Sequence, residues 1–295
     1  VGKNDRAEKL LEDYNDVFAD IYNTLLFRQS LLKEELLDFG PTESVYKNDS
    51  NATAEQRRDV LKVYKNANLV ISSFGIENQS TYDEYMPVRI MSYDAGTYRQ
   101  QIKNVSKKQD VYPVITIVLN FSNRQWGDAK DLHSLLNIPE ELKPFVENYK
   151  IKVFDIAFLE DAVINSFTSD FKVIAKFFKD KRLKKDALSD NTVLKYPTAV
   201  TEFLAVFTND SLYTDINDLI IESQRKGECI TMCNVAQAMV EKGIEKGIEK
   251  GKLEAICNLM DSMKLSAIQA MRALKVSESE YAKYENMIKQ LTPKS

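Results

Sequence analysis

One histidine, His133, stands in 295 residues, and the three cysteines, Cys229, Cys233 and Cys257, contain no C-x-x-C pair. A Ser-His-Asp or Cys-His catalyst would have to use His133, whose surroundings, DAKDLHSLLNIP, carry no nucleophile elbow. Cys229 and Cys233 fall at helical i,i+4 spacing, but a zinc site has few other ligands to draw on. An odd, scattered set of cysteines argues against a disulfide scaffold and fits a reducing compartment. There is no Walker A pattern and no G-x-G-x-x-G, so nucleotide-binding folds gain no support. No apolar run approaches the roughly 18 residues of a membrane span. The opening VGKNDRAEKL lacks the apolar stretch of a secretory signal, so a cytoplasmic protein without membrane association is expected. The net charge of -4 does not advertise a nucleic-acid binder, although a basic cleft can sit on an acidic protein. Carboxylates are what remain for chemistry.

The composition, 44% hydrophobic and 28% charged, is that of a globular chain long enough for one large domain or a domain with an appendage. From Arg6 to about Asp38, Leu10, Leu11, Tyr14, Phe18, Ile21, Leu25 and Leu26 recur at three and four, which predicts one long amphipathic helix or two short ones, ended by GPTES. A short strand is expected around Val45 and Tyr46, followed by a loop over KNDSNATAEQR. RRDVLKVY and NLVISSFGIEN flank the turn-rich KNAN and predict a β-hairpin. Helical spacing follows in TYDEYMPVRIMSYDAGTYRQQIKNV, then strands in YPVITIVLNFS and YKIKVFDIAFL, then an amphipathic helix with a basic end in SDFKVIAKFFKDKRLKK. This order implies a mixed α/β sheet flanked by helices.

After about Lys184 the pattern is helical throughout. It contains the repeat EKGIEKGIEKGK, in which Ile244 and Ile248 run beside Gly243, Gly247 and Gly251. Each glycine costs a helix about 1 kcal/mol, so the repeat is either a helix closely approached by another or a flexible charged connector. The last segment offers two or three short amphipathic helices, with Ser277 and Glu280 spaced as a capping box, and reads better as a small packing or self-association bundle than as a helix-turn-helix.

Glu77 and Gln79, two residues apart in a strand, share one face at the end of a buried segment. The short turn makes the hairpin antiparallel and brings Asp59, at the start of its first strand, near Glu77. Two carboxylates there repel unless one is protonated or a cation lies between them, and Mg²⁺, with its preference for oxygen, is the natural candidate. On the first helix Asp16 and Asp20 lie one turn apart; either could turn toward the hairpin, and either could be an ordinary solvated carboxylate.

In this setting NDVFADIYNTLLF, RRDV, GIENQS…MPVRIMSYDAGTYRQQI, YPVITIVLNFS, IPEELKPFVENYKIKVFDIAFL and the EKGIEKG tail resemble, in order over about residues 8–255, the recombination-promoting nuclease family, also called PD-(D/E)XK nuclease family transposases. The resemblance implies a restriction-endonuclease-like α/β fold; with the helical pattern after Lys184, the expected division is a nuclease-like domain over residues 1–184, a helical extension over 185–240 and a repeat helix with small helical segments over 241–295. It implies Mg²⁺-dependent hydrolysis of DNA, with Mn²⁺ able to substitute, in bacterial recombination, mobile elements or defence. The family's helix acid falls on Asp16, with Asp20 able to share its work, and its sheet-end aspartate on Asp59. Its E-x-K acid falls on Glu77, so the metal set would be Asp59, Glu77 and Asp16. The lysine of E-x-K is Gln79, an amide that orients water only by hydrogen bonds. The general base is thereby left to a second metal-bound water or to Lys62 on the neighbouring strand. Arg89, Arg99 and Lys103 on the next helix are candidates for backbone contacts to DNA, and equally for ordinary solvated charges. A different class stands beside this reading: a nuclease-like module that binds nucleic acid or protein, cleaves little, and forms homo-oligomers through its C-terminal helices.

Overall fold

Strand β4 (Val60–Asn66) turns back into the long β5 (Leu69–Gln79), and the pair is antiparallel, with Val60 opposite Ile76 and Lys62 opposite Phe74. The computed structural model describes residues 11–40, 43–47, 53–57, 59–66, 69–104, 111–128 and 130–291. Around this hairpin the sheet grows on both sides. β1 (Leu37–Phe39) adds antiparallel to β4, while β6 (Val114–Asn120) and β7 (Lys152–Asp155) add parallel beyond β5. The order is β1-β4-β5-β6-β7, a five-stranded mixed sheet. A separate two-stranded ribbon joins β2 (Glu43–Lys47) to β3 (Thr53–Arg57), so part of the stretch expected as a loop is strand.

Helices cover both faces. A parallel neighbour needs a crossover, and α2 (Met86–Asn104) supplies it between β5 and β6. Its Met86, Ile90 and Tyr93 pack with Val118, Trp126 and Ile151 against one face. The other face carries α1 (Asn15–Ile21), which widens into a π-helix over Tyr22–Phe27. Tyr22 and Phe27 meet Phe74 there, Phe18 packs against Tyr22, and the buried Tyr22 hydroxyl donates to the carbonyls of Gly75 (2.6 Å) and Ile115 (2.9 Å). Covered on both sides, β6 has Ile117, Val118 and Leu119 fully buried, which explains its uninterrupted apolar run.

The expected helix to Asp38 ends early. Arg28 adopts a left-handed conformation at φ 53°, and the Asn23 side chain binds the backbone of Leu31 and Leu32. The residues after it form a single 3₁₀ turn and then β1, because the edge of β4 offers backbone partners that a further helical turn could not use.

After β7 the chain is helical: α3 (Asp161–Ser166), α4 (Phe171–Arg182), α5 (Pro197–Thr208), α6 (Leu212–Asp215), α7 (Asn217–Arg225) and α8 (Met232–Met263). Phe121, Phe171, Phe178, Phe203 and Phe207 make the aromatic core of the first helices. The basic end of α4 is tied down, with Lys179 donating to Leu159 O and Arg182 to Ala157 O.

The chain divides into two compact units, 1–236 and 237–295, the division falling inside α8. In the second unit α9 (Ala267–Ala273) and α10 (Tyr281–Leu291) pack with the end of α8 around Leu253, Ile256, Met271 and Tyr284. The capping box is at Ser266 and Gln269. Ser277, expected to form one with Glu280, instead pairs its hydroxyl with Ser279 at the start of a 3₁₀ turn and makes no side-chain cap. The EKGI repeat is continuous helix, which settles the choice between helix and connector. No helix of the described residues is long and apolar enough to cross a membrane.

Candidate functional site

Strand alternation sorts the residues at the end of β5 onto two faces. Glu77 and Gln79 point to the α2 face, and Asn78 points with Ile76, Phe74 and Lys62 to the α1 face. Asp59, just before β4 begins, sits at the junction: its Oδ2 accepts from the backbone N–H of Asn78 at 2.8 Å. The cross-strand register continues the polar row from Gln79 to Asn120 and Asp155, where Asn120 donates to Asp155 at 2.7 Å. These are the carboxyl ends of three parallel strands, the edge at which open α/β sheets present their ligand sites.

Glu77 is only 1% exposed. A carboxylate this deep needs a countercharge, and Arg89 on the first turns of α2 provides it through an ion pair to Glu77 Oε1. The same guanidinium reaches Asp83 at 3.0 Å and the Tyr93 hydroxyl at 3.4 Å, and Gln79 donates to Glu77 Oε1 at 3.4 Å. Burial acts against the Arg89 charge, but Glu77, Tyr93 and Asp83 outweigh it and hold its pKa above the ordinary value. Burial, then the neighbouring Glu77 charge, raises the Tyr93 phenol. Arg99 and Lys103 are exposed and lie further along α2, about 15 Å or more from Arg89 at 1.5 Å per residue.

The opposite face holds a second polar cluster. Glu12 is fully buried and accepts from Asn78 Nδ2 at 2.8 Å, while Glu12 Oε1 and Asn78 Oδ1 find no hydrogen-bond partner among the described residues. Burial raises the Glu12 pKa well above the usual carboxylate value, the Asn78 bond opposes this, and the nearby Asp59 adds to it. Lys62 donates to Asp13 O (2.6 Å) and Asn15 Oδ1 (2.7 Å); burial pulls its pKa down to about 8 against the charges of Asp13, Glu12 and Asp16. Because Lys62 shares the face of Asn78, the sheet separates it from Glu77 and Gln79.

A titration consequence follows from Glu12. A carboxyl whose folded pKa is raised contributes stability that is complete below its unfolded value and is lost as pH rises through the folded value. Glu12→Gln is therefore expected to remove this loss and stabilise the protein at neutral pH by about 1–3 kcal/mol. Thermal unfolding of both proteins from acid to neutral pH checks it; a gain equal at every pH would disprove the titration account.

Asp16 and Asp20 have other partners. Asp16 binds Lys195 Nζ at 2.8 Å and the Tyr196 hydroxyl at 3.0 Å, beside a Tyr14–Tyr196 ring stack. Asp20 accepts from the backbone N–H groups of Thr168 (2.9 Å) and Ser169 (2.8 Å) and from both hydroxyls. Among the described residues no three of His, Cys, Asp and Glu group as metal ligands, so the set Asp59, Glu77 and Asp16 is not brought together. The acid that lies near Asp59 and accepts from Asn78 is Glu12, in the segment before α1 and four residues before Asp16. Asn78, between the two residues of E-x-Q, carries no sequence signal of its own, and Arg89, a candidate for DNA contact or for a solvated charge, has Glu77 as its partner.

The donor set still suits a divalent cation. Asp59, Glu77 and the Gln79 amide offer hard oxygens, and Mg²⁺ is commonly held by one or two carboxylates, completed by water and substrate phosphate. In this structure the charge balancing Glu77 is the Arg89 guanidinium.

A mixed sheet flanked by helices, with acids at the carboxyl ends of its strands, is compatible with a restriction-endonuclease-like α/β fold. Residues 64–202 match the family described as "Putative transposase, YhgA-like", a span from inside β4 to inside α5 that includes Glu77, Gln79 and Arg89 but not Asp59 or Glu12. That family is the recombination-promoting nuclease, or PD-(D/E)XK transposase-like, group, and this segment is similar to it. The similarity suggests a nuclease- or transposase-like role. No curated protein and no solved structure matches the chain.

Proposed function

We propose that this protein is a metal-dependent DNA endonuclease whose centre is Glu77 with Asp59 and Gln79. The observation that carries the reading is the buried Glu77, held with Gln79 at the carboxyl ends of parallel strands and balanced by a cation. Asp59 and Glu77 would hold Mg²⁺ or Mn²⁺, which when bound supplies an acidified water and charge stabilisation for the phosphate. Gln79 holds the attacking water by hydrogen bonds and carries no charge into the step. Arg89, half-exposed and shared with Asp83, presents a fork to a non-bridging phosphate oxygen once it leaves Glu77. Arg99 and Lys103 lie farther along the same helix, where they would meet the backbone of a longer duplex. Lys62 is on the wrong face to take the proton, so the base in this scheme is solvent or substrate phosphate.

The test is nicking of supercoiled plasmid with Mg²⁺, with Mn²⁺ and with EDTA, comparing the native protein with Asp59→Ala. Metal-dependent nicking that the substitution lowers by about 10²-fold or more supports the proposal. Folded protein that cuts under no metal, or Asp59→Ala that cuts as well as the native protein, refutes it. The second reading, a DNA- or protein-binding module with little cleavage, is favoured by Gln79 in the lysine position and by Arg89 on Glu77. Plasmid binding by mobility shift without nicking would decide for it.

A further inference from the structure

Two tyrosine rings stand open to solvent beside the Glu77 centre. Tyr82 and Tyr85 are 51% and 62% exposed. Tyr82 follows Gln79 by three residues, at most about 11 Å along the chain. Tyr85 lies one turn before Arg89, whose backbone N–H donates to the Tyr85 carbonyl at 3.1 Å, so the two side chains are neighbours on the surface of the helix. Asp83, between the tyrosines, accepts from the Tyr85 N–H at 2.9 Å and from Arg89 at 3.0 Å. This one carboxylate ties the segment that carries both rings to the guanidinium that balances Glu77.

Tyr82 has a fixed backing. Its ring meets Trp126 at 5.1 Å between centroids, and a Cβ added to Gly127 would come within 3.2 Å of it, so the absence of a side chain there leaves room for the ring. Trp126 is buried, and its backbone N–H donates to Asp155 Oδ1 at 2.9 Å. Asn120 and Ser122 hold the Arg124 carbonyl at 2.9 and 2.8 Å, which pins the loop that carries Trp126. Asn120 and Asp155 belong to the polar row at the carboxyl ends of the parallel strands, and Trp126 packs with Met86 and Ile90 of α2. Tyr82 therefore stands at the same edge of the sheet, and on the same face, as Glu77 and Gln79. A ring packed from behind and wet in front offers a flat surface at little cost in side-chain ordering.

The neighbouring charges select what stacks there. Arg89 offers a fork to a phosphate, whereas Asp83 and the exposed Glu84 lie between the two tyrosines and repel one. A strand that gives a phosphate to Arg89 thus meets the tyrosines with its bases. In a paired duplex the base faces are covered by their neighbours, and only unpaired bases have a face free for an aromatic ring.

We propose that Tyr82 and Tyr85 stack on unpaired bases flanking a phosphate held at Arg89, so that the DNA this site takes is single-stranded or opened within a duplex. The inference rests on the reading of Arg89 and Glu77 as a phosphate site and adds the form of DNA that enters it.

The experiment is binding of a fluorescein-labelled single-stranded oligonucleotide and of its fully paired duplex to the full chain, by anisotropy in EDTA. The single strand should bind the native protein more tightly than the duplex does. Tyr82→Ala and Tyr85→Ala should each weaken single-strand binding by about 10-fold and duplex binding by less than about 2-fold. Tyr82→Phe keeps the ring and its contact with Trp126, and should bind as the native protein does. Equal native affinity for the two forms, alanine variants that retain single-strand affinity, or a Tyr82→Phe protein as weak as Tyr82→Ala would overturn the proposal. Nicking with Mg²⁺ is read separately: single-strand preference without nicking refutes the nuclease reading and upholds the stacking surface, whereas nicking without that preference does the reverse.

Discussion

Glu77→Gln should reduce metal-dependent nicking by about 10²–10³-fold while leaving the protein folded. The amide has the shape of the native side chain, and its oxygen can still accept from Arg89, which keeps Asp83 as its second partner. What it loses is the charge that would hold a divalent cation. Binding of Mn²⁺, followed by calorimetry, should weaken in parallel with nicking, whereas binding of DNA without metal should hardly change. Arg89→Gln separates the two cations that claim Glu77. With the guanidinium gone, Glu77 is left buried with less countercharge, so a divalent ion should bind more tightly even as nicking falls for want of a phosphate contact. If Glu77→Gln cut plasmid at the native rate, Glu77 would have no part in the chemistry, and the buried ion pair would be a structural element only.

The hairpin, α2, β6, β7 and the long helical tail were legible because each rests on a local signal: KNAN between two β-rich runs, three-and-four spacing, or an apolar run between polar ends. The faces of Glu77 and Gln79 followed from strand alternation alone. Other features depend on contacts between distant segments, which no local pattern encodes. The early end of the first helix needs Asn23 to bond the backbone of Leu31 and Leu32, and β1 exists because β4 has an open edge. Tyr14 is extended between Glu12 and Asp16, so the two acids stand on separate segments and only Glu12 reaches Asn78. The exclusion of Lys62 from the Glu77 face could have been derived from the hairpin register, had its pairing of Lys62 with Phe74 been known. That register includes a shift between Tyr64 and Lys65, which composition does not reveal.

Asp20→Ala should be the most damaging of the acid substitutions for stability, at about 3 kcal/mol, or a fall of roughly 6–12 °C in Tm. The carboxylate is 7% exposed and takes two backbone N–H groups and two hydroxyls from Thr168 and Ser169, just before α4 begins. Removing it leaves those donors without an acceptor and unfastens α1 from the segment that leads into the phenylalanine core. Asp16 differs. Its ion pair with Lys195 is partly solvent-exposed, so Asp16→Ala should cost only about 1 kcal/mol through loss of that pair and the Tyr196 bond. Asp20→Asn distinguishes a structural from a chemical role. The amide oxygen can keep the acceptor positions for one or two of the four donors, so most of the stability should return, and nicking per folded molecule should equal the native value. A stable Asp20→Asn protein that no longer cut would place Asp20 in the chemistry after all, and would require α1 to move on binding metal or DNA.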